Sequence, residues 1–123
     1  MKPHRMRVCI DFDGVIHDYS EGYKDGSLYG DPIKGAIDNI VKLHEAGHEI
    51  YILTARDKEQ HKKIESWIRK YLPNSHKEIP IVVSNIKPPA GVYVDDRAIH
   101  FKNWESAMKD IIDRIDKEMK RKN

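Results

Sequence analysis

One cysteine, Cys9, stands in a chain of 123 residues. A lone thiol excludes an internal disulfide framework and fits a reducing compartment. Long apolar runs are missing as well, since no stretch approaches the roughly 18–20 residues that span a bilayer. The basic start Met1-Lys2-Pro3-His4-Arg5 lacks the apolar stretch of a secretory signal. These absences make a cytoplasmic protein without membrane contact the expectation. An excess of one charge is also lacking. Lys and Arg number 22 against 20 Asp and Glu, a net charge of +2, so charge alone implies neither a nucleic-acid scaffold nor an acidic tail. Repeats and low-complexity segments are absent.

What is present is one domain's worth of chain, 1–123, enough to bury about two thirds of its unfolded surface in a single core. Val8-Cys9-Ile10 with Phe12, Ile50 to Leu53, Ile81 to Val83 and Val92 to Val94 are short β-branched runs bounded by turn signals, so each reads as a buried strand. Between them run helical stripes. Ile33, Ile37, Ile40, Val41 and His44 form one, which Gly47 stops. Ile64, Trp67, Ile68, Tyr71 and Leu72 form another, ended by Pro73-Asn74. Trp104, Met108, Ile111, Ile112, Ile115 and Met119 form the last. Residues 15–32, with Gly22, Gly26, Gly30 and interleaved tyrosines, read as a loop or small hairpin.

Alternating β and α units predict an α/β fold, a three-layer Rossmann-like arrangement with a small, mostly parallel sheet between helices. Ser84 to Gly91 is too short for a helix of useful length. That connection is therefore either an irregular crossover or an antiparallel return.

In open α/β sheets, ligands bind beyond the carboxyl ends of the strands. Here the first strand ends in Asp11-Phe12-Asp13-Gly14, the second in Thr54-Ala55-Arg56 and the fourth in Asp95-Asp96-Arg97. Parallel strands would gather four carboxylates, a hydroxyl and two guanidiniums in one crevice. Like carboxylates at close range need a counter-charge. Hard oxygen donors suit Mg²⁺, which takes one or two carboxylates and keeps several waters. A bound cation in turn attracts a phosphate. Taken singly, an Asp or Thr ending a strand is more often a turn or cap residue. The conjunction at three strand ends is what points to chemistry.

At these residues the chain resembles the haloacid dehalogenase-like phosphohydrolase superfamily. Val8-Cys9-Ile10-Asp11-Phe12-Asp13-Gly14-Val15 is similar to its first motif, Ile52-Leu53-Thr54-Ala55-Arg56 to its second, and Val92-Tyr93-Val94-Asp95-Asp96 to its fourth. The resemblance implies a magnesium-dependent phosphatase acting on a phosphate monoester through an aspartyl-phosphate. Asp11 would be the nucleophile and Asp13 the general acid, then base. Thr54 and the amide of Ala55 would hold a phosphoryl oxygen. Mg²⁺ would sit on Asp11, the Asp13 carbonyl and Asp95, with Asp96 nearby. For the neutralising cation Lys87 is the best match, although the family usually places a helix between that lysine and the acidic strand. Arg56 is its rival. The short flap at about 15–32 would replace a cap domain and leave the site open, with the flap tyrosines, His17 and Lys24 as specificity contacts.

The implied substrate is a phosphorylated small molecule or a nucleic-acid end, and a second copy of the chain could supply a lid. The competing expectation is a non-enzymatic phospho-acceptor resembling a receiver domain. Its order of motifs differs, because there the phosphorylated Asp lies on a later strand. Other signals read as structure. Cys9 is a small buried hydrophobe and Trp67 and Trp104 are core. His44 and His48 are split by Gly47. Lys117, Lys120, Arg121 and Lys122 form a solvated basic tip that could otherwise touch nucleic acid.

Overall fold

β-Branched residues pack well on a pleated surface, and each of the four short Val/Ile runs forms a strand. In the computed structural model, residues 5–18, 27–95 and 102–122 are described. The strands are β1 Arg7–Asp11, β2 Glu49–Leu53, β3 Ile81–Ser84 and β4 Val92–Val94, and the helices are α1 Ala36–Glu45, α2 Lys58–Tyr71 and α3 Trp104–Lys122. A 3₁₀ turn at Asn74–His76 follows Pro73, which cannot continue α2.

All pairings are parallel, in the order β3-β2-β1-β4. β1 is therefore central, flanked by β2 (Ile10 beside Ile52) and by β4 (Ile10 beside Val94). The chain steps outward from β1 to β2 to β3, then returns past β1 to reach β4. Right-handed crossovers put the two outward connections on one face and the return on the other. The packing agrees. Val8, Ile10, Ile50, Ile52, Val92 and Val94 join α1 through Ile40 and Leu43, α2 through Ile64, Trp67 and Ile68, and α3 through Trp104, Ala107 and Ile111, in one continuous core.

The opposite face carries Arg7, Cys9, Tyr51, Val82 and Tyr93, paired level with one another or with their neighbours. It is crossed by the return segment, Asn85 to Gly91, which runs as an extended strap. Tyr51 donates its hydroxyl to the Ile86 carbonyl at 2.6 Å, Arg7 Nη1 donates to the Pro89 carbonyl at 3.0 Å, and the Tyr93 hydroxyl donates to the Pro88 carbonyl. Arg7 also pairs with Glu49 at 3.1 Å. The expected α/β class with a small parallel sheet holds, and the short connection is the irregular crossover. The difference from the expectation is that this layer is a strap where helices were expected. Seven residues coiled as a helix would rise only about 10 Å, short of three strand spacings of about 4.8 Å each, so the segment stays open.

α1 starts later than its apolar stripe suggests, at Ala36 rather than Ile33, because Gly35 takes φ 88° just before it. A Cβ at Gly35 would also lie 2.8 Å from Cβ of Trp104 at the head of α3. Gly35→Ala therefore combines left-handed strain with overpacking, and should cost about 2–4 kcal/mol. A thermal or urea melt within about 0.5 kcal/mol of the parent would show that α3 shifts freely, contrary to the packing described. Among the described residues, no helix is long and apolar enough to cross a membrane.

Candidate active site at the carboxyl edge of the sheet

Four parallel strands deliver their carboxyl ends to one edge. Level pairing of Ile10 with Val94 sets Asp95 beside Asp11, and level pairing of Asp11 with Leu53 sets Thr54 beside Phe12. The β1–β2 ladder continues one residue further, as Phe12 N–H donates to the Leu53 carbonyl at 2.9 Å. The β2–β3 ladder continues as Thr54 N–H donates to the Ser84 carbonyl at 3.0 Å. The strands are added outward to β2 and β3 on one side of β1 and to β4 on the other, so β1 is the switch point where such sheets open a crevice. A cleft of about 380 Å³ lies there, lined by Asp11, Asp13, Thr54, Ala55, Asn85 and Lys87, among others.

The predicted residues among the described ones each have a definite place. Asp11 ends β1 and is partly buried, whereas Asp95 is only 3% exposed. Cys9, on the strap face of β1, registers the field of this pair. Burial first, then the negative charge of Asp11, push its thiol up to about 11; Asp95 adds to the rise, and Lys87 opposes it. The two carboxylates and Lys87 are thus all close enough to act on one buried group, with opposite signs. Thr54 is buried, and its Oγ1 accepts the N–H of Arg56 at 3.0 Å. That local turn leaves the Thr54 hydroxyl hydrogen available as a donor.

The two rival cations separate cleanly. Lys87 lies on the strap, lines the cleft, and holds its ammonium 4.6 Å from the centre of the Tyr93 ring. Arg56 is buried and committed to Asp13, donating from Nε to Oδ2 at 2.9 Å and from Nη2 to Oδ1 at 3.1 Å. This planar two-point grip is what a guanidinium does best with a carboxylate.

The same Asp13 Oδ1 also meets His17 Nδ1 at 2.8 Å. His17 was expected among flap contacts to substrate. It is instead fully buried, stacked on Phe12 with ring centres 5.2 Å apart and planes 3° apart. Trp67 and Tyr29 meet it edge-on at 5.3 and 5.2 Å, and its Nε2 faces the Tyr29 carbonyl at 2.5 Å. Its location reflects aromatic packing: Phe12, Tyr29 and Trp67 surround one imidazole beside the end of β1. Gly14, at φ 85°, makes the tight turn that allows this, with the N–H groups of Val15, Ile16 and His17 all directed at the Phe12 carbonyl. Tyr19, Tyr23, Lys24, Asp96 and Arg97 lie outside the described residues.

The donor set can be tested against Mg²⁺. Among the described residues, no three His, Cys, Asp or Glu side chains gather as a ready-made ligand group. Mg²⁺ does not require three, because it binds through one or two carboxylates and retains water. Asp11 and Asp95 on neighbouring strands, with the backbone carbonyl of Asp13 at the turn, are hard oxygen donors of that kind. The side chain of Asp13 is occupied by Arg56 and His17, so of the expected metal residues Asp13 fits only through its carbonyl.

The remaining sequence signals are structural. Cys9 is 2% exposed, and Trp67 and Trp104 are core, with Trp104 Nε1 donating to the Val15 carbonyl at 3.0 Å. His48 is buried, and its Nδ1 lies 3.2 Å from the Met6 N–H.

No family model matches this chain, and no curated protein matches it. A solved structure of a conserved protein from Bacteroides thetaiotaomicron is similar to it, with a TM-score of 0.65 at 20% identity, covering 90% of this chain and 93% of that one. At that identity the likeness concerns the fold: the α/β arrangement around a small parallel sheet.

Proposed function

We propose that this chain is a magnesium-dependent phosphatase that hydrolyses a phosphate monoester through an aspartyl-phosphate on Asp11. One observation carries the reading: the sheet register brings Asp11 and Asp95 side by side at the switch point, next to a cleft that also holds Thr54, Ala55 and Lys87. The Asp11 carboxylate attacks phosphorus in line, and the bond from phosphorus to the ester oxygen breaks. The departing oxygen takes a proton from Asp13. Water then attacks the same phosphorus, Asp13 receives its proton, and Asp11 is released with inorganic phosphate. Thr54 and the Ala55 amide hold a non-bridging oxygen, and Lys87 offsets charge on the phosphoryl group. Bound Mg²⁺ would neutralise the charge that keeps an anionic carboxylate from an anionic phosphate.

Chelator should abolish hydrolysis of an aryl phosphate, and added Mg²⁺ should restore it. A rate indifferent to chelation would remove the metal from the reading.

The grip of Arg56 on Asp13 favours a second reading. A carboxylate held at both oxygens must exchange a contact before it carries a proton, and without that exchange the phosphorylated Asp11 would persist. The chain would then be a phospho-acceptor. Rapid-quench trapping separates the two. A phosphoprotein that decays on the timescale of turnover supports the phosphatase, and one that accumulates stoichiometrically without further product supports the acceptor.

A further inference from the structure

A second concavity, about 630 Å³, lies along the exposed side of α2, between that helix and Ser27 and Leu28. Its wall carries Lys62, Lys63 and Lys70, and none of its described lining residues is acidic. Lys62, Ser66 and Lys70 are spaced i, i+4, i+8, so they share one stripe that runs about 12 Å along the axis. Gln60, on the first turn of α2, lines the same groove. Its Oε1 is buried and has no hydrogen-bond partner among the described residues. An unused amide oxygen of this kind is costly to bury and suits a ligand that carries N–H or O–H donors. Trp67 and Leu28 complete the lining with apolar surface.

The groove and the catalytic cleft are neighbours. Trp67 lines the first and Phe12 the second, and their ring centres are 5.4 Å apart, edge to face. The chain passes from Thr54 and Ala55 in the cleft to Gln60 in the groove within two turns of chain. A monoester in the cleft cannot reach Lys70, whereas a polymer with regularly spaced phosphates can.

We propose that this groove holds a single-stranded nucleic acid, with backbone phosphates along Lys62, Lys63 and Lys70 and polar base edges near Gln60, so that the terminal phosphate of the strand is presented to Asp11. The assignment of the end group rests on the phosphatase reading above; the assignment of the groove does not. A basic channel beside polar and apolar side chains is how strands are held without sequence preference.

The test uses a fluorescein-labelled single-stranded oligonucleotide of about ten residues with no terminal phosphate, so that binding is measured where no turnover is possible. With three lysines neutralising phosphates, log K should fall against log salt with a slope of about −2. Replacing Lys62, Lys63 and Lys70 together by Ala should bring the slope close to zero and weaken binding at least about tenfold near 0.1 M salt. Circular dichroism should show the fold retained. Replacing Lys109, Lys117 and Lys120, exposed on α3, removes the same charge elsewhere and should leave the slope unchanged. The proposal is overturned if the wild-type chain does not bind the strand, or if the α3 variant loses as much as the α2 variant. It is also overturned if inorganic polyphosphate displaces the strand more than tenfold better than an unlabelled oligonucleotide of equal charge. Strand binding without release of phosphate from a terminally phosphorylated version would leave the groove standing and overturn the end-group assignment; the phosphatase reading falls only if an aryl phosphate is left unhydrolysed as well.

Discussion

Asp11→Asn should abolish turnover of an aryl phosphate, by about 10⁴-fold or more, the scale of loss when a covalent nucleophile is removed. The amide keeps the size and most hydrogen bonds of the carboxylate but cannot attack phosphorus. Asp11 ends a strand whose neighbours are paired on both sides, so the backbone should be unmoved and the melting temperature unchanged or raised. A rise would be informative in itself, because the substitution relieves repulsion between Asp11 and Asp95. The same variant should take up no phosphate from a labelled donor. Activity near the parent level in a folded Asp11→Asn protein would end both the phosphatase and the acceptor reading, since each places the phosphoryl group on this side chain.

The second large effect is on stability and falls at His17. His17→Ala empties a fully buried site between Phe12, Tyr29 and Trp67, and leaves the Tyr29 carbonyl and one oxygen of Asp13 without their imidazole contacts. Cavity and lost hydrogen bonds together should cost about 3–5 kcal/mol, read from urea unfolding. His17→Phe restores the ring volume without the polar contacts and should recover roughly half of that. Equal losses in the two variants would assign the whole effect to the hydrogen bonds. No loss in either would mean that the ring stack contributes nothing. Asp13 would keep its grip by Arg56 in both variants, so residual activity in His17→Phe measures how far the imidazole positions the acid.

Much of this architecture was legible in the chain because the signals are local. Short runs rich in Val and Ile, broken by Gly, Pro and Asp, read as strands, although β3 at the sheet edge is mostly not buried, and the helices betray themselves by the spacing of Ile64, Trp67, Ile68 and Tyr71. Reactive groups at strand ends were legible for the same reason. What was not legible depends on partners far apart in sequence. Nothing near Asp95 says that β4 lies against β1, yet that pairing is what sets it beside Asp11. Arg56 and Asp13 are 43 positions apart, so the guanidinium read as a free rival to Lys87 until the fold committed it elsewhere. His17 sits among loop residues and looked exposed, because its burial comes from Trp67 on a later helix. The groove beside α2 was hidden similarly. Its lysines stand on one helix, and only Ser27 and Leu28, arriving from the flap, turn that face into a concavity.

The strap has a consequence for biosynthesis. Among the described strands β4 is the last made, and Val92 must find Val8, far earlier in the chain. Until it does, β1 has a bare hydrogen-bonding edge, open to adventitious pairing with other chains. Asp95 arrives only with that final stroke. A nascent chain that stalls on the ribosome before this point therefore keeps that edge exposed and is prone to stick.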